Sequence, residues 1–145
     1  MRRARVKRKP AVVTIGFAAG AEYGVAYAAL GGTDERPESL VRVGFRCRPL
    51  PALTGRDITY AALQSVAGEL LQRGLEAVEL RIADGTLPLD LAERRALPSA
   101  LIVPYVTLRC TLNRFAVASV GVTASRLARD LTARARAEAL LNVAA

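Results

Sequence analysis

The chain has no histidine and no tryptophan. Without histidine it lacks the commonest general base near neutral pH and the commonest zinc ligand. No Ser-His or Cys-His nucleophile pair can form, and the sequence has neither a Gly-x-x-x-x-Gly-Lys-Ser/Thr phosphate loop nor a nucleophile elbow. There are only two cysteines, Cys47 and Cys110, far apart in sequence. They make no metal spacing and no disulfide framework, so two buried thiols in a reducing, cytoplasmic setting are expected. Aromatic residues are 5% of the chain, too few to favour a single-strand binder built on stacking platforms. Acidic residues number 13 against 21 basic ones, for a net charge of +8. No run of about 18 uncharged apolar residues occurs, so no membrane-spanning helix and no membrane partner are expected.

What is present points to one folded domain. The chain has 145 residues, 52% of them hydrophobic, enough to bury a core. All basic residues but Lys7 and Lys9 are arginine. An arginine-rich surface attracts phosphate and can hold it bidentately, though it can equally be a solvated face. Residues 1–10 concentrate Arg2, Arg3, Arg5, Lys7, Arg8 and Lys9. Such a run repels itself and reads as a flexible arm that binds nucleic acid by counterion release. A solubilising tail is the bland reading. The charged start of a secretory signal is a third, disfavoured because the next segments read as continuous sheet. Residues 11–142 form the domain.

Along it, Ala11–Ala18 and Tyr23–Leu30 read as strands joined by the turn Ala19-Gly20-Ala21-Glu22, and Gly31-Gly32-Thr33-Asp34 as a hairpin turn. Leu40–Arg48 alternates Val41, Val43, Phe45 and Cys47 with Arg42, Gly44, Arg46 and Arg48, a half-buried strand with an arginine face. Pro49 and Pro51 close it. Thr54–Gly74 is an amphipathic helix with Ile58, Ala62, Val66 and Leu70 on one face, flanked by Leu63 and Leu71. Thr54 or Asp57 should cap its start, and Gly74 should end it in a left-handed conformation. Ala77–Ala83 is a strand expected to run parallel to the first. Leu87–Arg95 is a short helix with Pro88 in its first turn. In Pro98–Phe115, β-branched residues favour strand, but Leu101, Tyr105, Leu108, Leu112 and Phe115 step helically. A helix from about Pro104 to Arg114 is favoured. Ala116–Val122 is the last strand. Thr123 or Ser125 caps a final helix, with Leu127, Leu131, Ala135 and Leu140 inward and Arg126, Arg129, Arg134 and Arg136 outward.

The order β-β-β-α-β-α-α-β-α resembles the ribonuclease H fold: three antiparallel strands, then two added in parallel, flanked by helices. Four local matches carry the resemblance over about Val12 to Ala137. Gly20-Ala21-Glu22-Tyr23-Gly24-Val25 is similar to the glycine-rich turn into the second strand. Tyr60-Ala61-Ala62-Leu63 is similar to Glu-Tyr-x-Ala-Leu on the first helix. Ala83-Asp84-Gly85-Thr86-Leu87 is similar to the Asp-Ser-x-Leu after the fourth strand. Ser125-Arg126-Leu127-Ala128-Arg129-Asp130-Leu131 is similar to the closing Asn-x-x-Ala-Asp-x-Leu.

The resemblance implies a two-magnesium nuclease that uses four carboxylates as ligands. Carried over position by position, the first-strand aspartate falls near Gly16, the helix glutamate on Thr59, the fourth-strand aspartate on Asp84 and the last on Arg129. Asp130 is adjacent but rotated about 100° on the helix. Asp84 is thus the single matching metal ligand, and its other reading is a turn and helix cap. Glu22 and Asp57 are the substitutes considered. With one ligand of four, no catalysis and no cofactor are expected; magnesium enters only if displaced carboxylates restore a nuclease. The leading expectation is a silent ribonuclease H-like domain binding nucleic acid or a nucleic-acid-handling partner. The basic arm, Arg42, Arg46 and Arg129 would then touch phosphate. The alternative is a structural protein that dimerises through the third strand or the last helix.

Overall fold

The computed structural model describes residues 9–31, 36–93 and 96–144. The arm residues Arg2, Arg3, Arg5, Lys7 and Arg8, and most of the turn after Gly31, lie outside them. Five strands, β1 (Ala11–Ala19), β2 (Tyr23–Leu30), β3 (Ser39–Arg46), β4 (Ala77–Ile82) and β5 (Val117–Val122), form one sheet in the order β3-β2-β1-β4-β5. β1, β2 and β3 pair antiparallel, and β4 and β5 are added in parallel. The helices are α1 (Arg56–Gln72), α2 (Thr86–Glu93), α3 (Ser99–Leu112) and α4 (Arg126–Ala144). This is the element order and strand pairing expected from the sequence. No helix of the described residues is long and apolar enough to cross a membrane.

α1 forms where the 3.6-residue period is cleanest, and it covers one face of the sheet. Its Leu63, Val66 and Leu70 are fully buried, together with Val13 and Ile15 of β1 and Val78, Leu80 and Ile82 of β4. Each such side chain contributes roughly 1.5–3 kcal/mol by leaving water. The helix ends as expected at Gly74, whose φ is +82°. The amide of Gly74 donates to Leu71 O and that of Leu75 to Leu70 O, which satisfies the last carbonyls in a Schellman motif.

The start of α1 corrects the sequence reading. Neither Thr54 nor Asp57 caps it; Gly55, with φ +88°, holds the cap position without a side-chain bond. Thr54 is also left-handed, with φ +52°, so the chain reverses sharply here. Asp57 therefore reaches back to accept the Leu50 amide at 2.7 Å, tying the segment after β3 to the helix.

Three other expectations change. α3 begins at Ser99 and carries Pro104 inside it. Pro104 has no N–H for the Ala100 carbonyl, but full burial of Leu101 against α1 draws the preceding turn into the helix. The helical steps from Leu101 to Phe115 do face the core, and the β-branched Ile102, Val103 and Val106 are exposed. On α4, Leu140 is 71% exposed and Ala139 takes the inward place, because five residues beyond Ala135 turn Leu140 about 140° away from the buried face, toward the exposed side with Arg136. Cys110 is exposed on α3 and Cys47 half-buried, so the thiols are not both core residues. β3 is a sheet edge, as expected, and its exposed arginines blunt it against strand addition.

α4 covers the opposite face. Ser125 Oγ accepts the Ala128 amide, the expected cap. Leu131 and Ala135 pack on Val25, Tyr27 and Ala29 of β2. Over β1 the approach is closer. A Cβ at Gly16 would lie 2.3 Å from Thr132 N and 2.5 Å from Leu131 C, so only glycine lets the α4 backbone settle there. Further along, Glu138 clamps the helix to the sheet edge. It accepts from the Tyr27 hydroxyl and from Arg42 Nε at 2.6 Å, and forms an ion pair with the same guanidinium. The Arg134 guanidinium lies over the Tyr27 ring, 4.5 Å from its centroid.

Two measurements check this account of α4. Gly16→Ala must push the helix from β1, and a loss of about 1–3 kcal/mol is expected as a lower urea midpoint with unchanged slope. An unchanged midpoint would refute the close approach. Hydrogen bonds from Arg42 and then Tyr27 hold the Glu138 carboxyl below the usual glutamate range. A depressed acid stabilises the fold above its unfolded pKa, about 4.3, and loses that contribution as pH falls through the folded value. The clamp is half-exposed and screened, so Glu138→Gln should cost up to about 1 kcal/mol at pH 7. The gap to the parent chain should close in acid; a gap independent of pH would contradict the assignment.

Candidate functional site

The parallel register, with Thr14 opposite Arg81, carries the ends of β1 and β4 to the same edge of the fold. Asp84 follows β4 there, just before α2. Thr59, in the first turns of α1, is 2% exposed and faces it. Thr59 Oγ1 donates to Asp84 Oδ2 at 3.0 Å, and the Thr86 amide donates to Asp84 Oδ1 at 2.8 Å. Thr59 Oγ1 also lies 3.3 Å from Gly55 O, but its one proton favours the nearer, charged acceptor. The helix position and the fourth-strand aspartate therefore meet as the resemblance implies, but as a threonine–aspartate pair. Asp84 also ties down the head of α2, the helix-capping role anticipated for it.

The other positions do not join them. At Gly16 the space a first-strand side chain would need is filled by the α4 backbone. Arg129 is exposed on α4. Its neighbour Asp130 is also exposed, 3.9 Å from Arg126. Of the substitutes considered, Glu22 lies 3.6 Å from Arg48, and Asp57 bonds the Leu50 amide. Among the described residues no three His, Cys, Asp or Glu side chains gather in one place. A magnesium pair requires concentrated negative charge. Asp84, with both oxygens held by neutral donors, does not fit that requirement.

A second polar cluster was not legible in the sequence. Asp90 of α2 is 1% exposed and accepts from Tyr60 OH and from Arg56 Nη2, both at 2.9 Å. Burial pushes the Tyr60 phenol well above its usual pKa, and the bond to Asp90 adds to the effect. The cluster pins α2 to α1 beside the Thr59–Asp84 pair. No periodicity signals it, because Asp90 stands 30 residues from Tyr60 and 34 from Arg56.

The expected phosphate-binding cations divide. Lys9 is exposed just before β1. Arg42 is engaged by Glu138. Arg46 is exposed, its guanidinium 5.6 Å from the Tyr23 ring centroid. Arg42 and Arg46 stand opposite Tyr27 and Tyr23 across the β2–β3 ladder, which puts them on the α4 side of the sheet. α4 itself exposes Arg126, Arg129, Arg134 and Arg136. The arginines of both elements thus share one side of the molecule. The Asp84 assignment is tested by Thr59→Val, which removes a buried donor to a charged acceptor. A loss of about 1–3 kcal/mol in a denaturant titration is expected, and no loss would show that the bond carries no weight.

The sequence matches no known protein family and no curated protein. The structure is similar to ribonuclease H1 of the halophilic archaeon Halobacterium salinarum, with a TM-score of 0.69 at 16% identity over 92% of this chain and 99% of that one. It is also similar to LC11 ribonuclease H1, isolated from compost, with a TM-score of 0.63 at 13% identity over 94% and 99% of the two chains. A further structure of LC11 ribonuclease H1, solved in complex with an RNA/DNA hybrid, gives a TM-score of 0.61 at 10% identity over 90% and 99%. The fold of this chain is ribonuclease H-like.

Proposed function

We propose that this chain is a catalytically silent ribonuclease H-like domain that binds nucleic acid. The observation that carries the first half is the Thr59–Asp84 hydrogen bond, in which the one matching carboxylate is satisfied by a hydroxyl and an amide. The second half is supported by the arginines on the α4 side, by the net charge of +8, and by the hybrid bound to one similar protein. Phosphate contacts from exposed guanidiniums give affinity with little sequence preference. The roles assigned to Asp84 follow from this reading: it orders the α1–α2 junction and does not act on a substrate.

Two titrations test the proposal. Incubation with an RNA–DNA hybrid in magnesium should give no cleavage. Anisotropy with labelled hybrid, duplex and single strand should show binding that weakens steeply as salt rises, with a log–log slope near −0.9 per phosphate neutralised on a duplex. Cleavage abolished by Asp84→Asn would overturn the first half, and no binding at low salt the second.

A further inference from the structure

The β2–β3 ladder holds the same two residues opposite each other twice. Tyr27 stands across from Arg42, and Tyr23 across from Arg46, with Val25 and Gly44 between them. All six positions lie on the α4 side. The two pairs differ in what covers them. α4 lies over the first: Tyr27 is 6% exposed, the Arg134 guanidinium sits over its ring, and Glu138 accepts from both its hydroxyl and Arg42. The helix thus supplies a planar group for the ring and an anion for the guanidinium and phenol. The second pair lies beyond the helix. Tyr23 is 54% exposed, the largest aromatic surface left bare among the described residues, and Arg46 is exposed beside it. Gly44 keeps the strand surface between the pairs open, with nothing within 4 Å of where a Cβ would be. Two shallow depressions, of about 420 Å³ and 390 Å³, both include Tyr23 and Arg46; one extends to the Arg48–Glu22 pair and the other to Arg42 and Gly44.

We infer that the Tyr23–Arg46 pair is a nucleotide subsite for single-stranded nucleic acid. It takes from a ligand what α4 gives the Tyr27–Arg42 pair. A base supplies the planar group over the Tyr23 ring, and its phosphate supplies the anion for Arg46 and the Tyr23 hydroxyl. An acidic peptide offers the anion without the plane. A duplex offers phosphate but keeps its bases stacked on one another, so an unpaired strand satisfies both halves of the site. Stacking tolerates any base. Arg42 and Arg48 on either side are already paired with Glu138 and Glu22, so the phosphate contact falls to Arg46. The low aromatic count does not argue against this, because one exposed ring suffices for one base.

The inference rests on the proposal that the chain binds nucleic acid, and the test separates the two. Full-length chain is titrated against a labelled single-stranded RNA and against the duplex of the same sequence, at low salt. Tyr23→Ala should weaken single-strand binding roughly tenfold and leave the duplex nearly unchanged. Tyr23→Phe, which keeps the ring, should retain most of the affinity, and Arg46→Gln should weaken both ligands. Circular dichroism confirms that each variant is folded; both side chains are exposed and carry no core contact. If the parent binds but Tyr23→Ala binds the single strand as well as it does, or loses both ligands equally, the subsite is refuted while nucleic-acid binding stands. If the parent binds neither ligand, both fall.

Discussion

The contact between the α4 backbone and Gly16 governs the rest of the molecule. A helix normally rests on a sheet through side chains. Here one glycine in the middle strand lets the main chain at Leu131 and Thr132 descend onto β1. Seated there, α4 brings Leu131 and Ala135 onto β2 and reaches the sheet edge with Glu138 and Arg134. The same seating fills the volume in which a first-strand carboxylate would stand. One packing decision therefore closes the position of a metal ligand, clamps the edge strand, and sets where helix cover stops. Tyr23 and Arg46 are bare because they lie past that point.

Just past the level of Gly16, where β4 ends, burial and hydrogen bonding have been arranged around a lone aspartate. A carboxylate that is to bind a hard cation needs neighbours of its own sign, which repel one another until the ion arrives. Asp84 has the opposite company: a buried hydroxyl and a main-chain amide that stabilise its charge without an ion. The adjoining Arg56–Asp90–Tyr60 cluster is likewise internally matched. These polar groups hold α1, α2 and the end of β4 in register. On the α4 side, Arg42 and Arg126 have acid partners, while Arg46 is exposed beside a ring, and there charge can be offered to a ligand.

Much of this was legible from local pattern. The alternation of Val41, Val43 and Phe45 with Arg42 and Arg46 placed β3 and its arginine face correctly, since a strand has only two sides. The apolar spacing of α1 and its glycine stop were read to within a turn. The order of elements, with the weak motif matches, was enough to reach the fold. Two failures share one cause, a tertiary contact outweighing a local preference. Pro104 suggested a helix start, but burial of Leu101 moved it earlier. Thr54 and Asp57 are good caps, yet a left-handed reversal turned Asp57 toward Leu50. Leu140 was instead a misread phase: five residues past Ala135, it lies about 140° off the buried face, and Ala139 holds the place.

By itself the sequence determined which segments are strand or helix, how the strands follow one another, and which acids are missing. Those are properties of neighbours within a turn or a pleat, and of composition. Only the tertiary structure decided that Thr59 and Asp84 would satisfy each other, that Gly16 would seat a helix, and that of two identical Tyr–Arg pairs one would be covered and one left open. Thr59 stands 25 residues from Asp84, and Tyr27 stands 111 from Glu138. No local periodicity encodes such distances; they are set when the helices close over the two faces of the sheet.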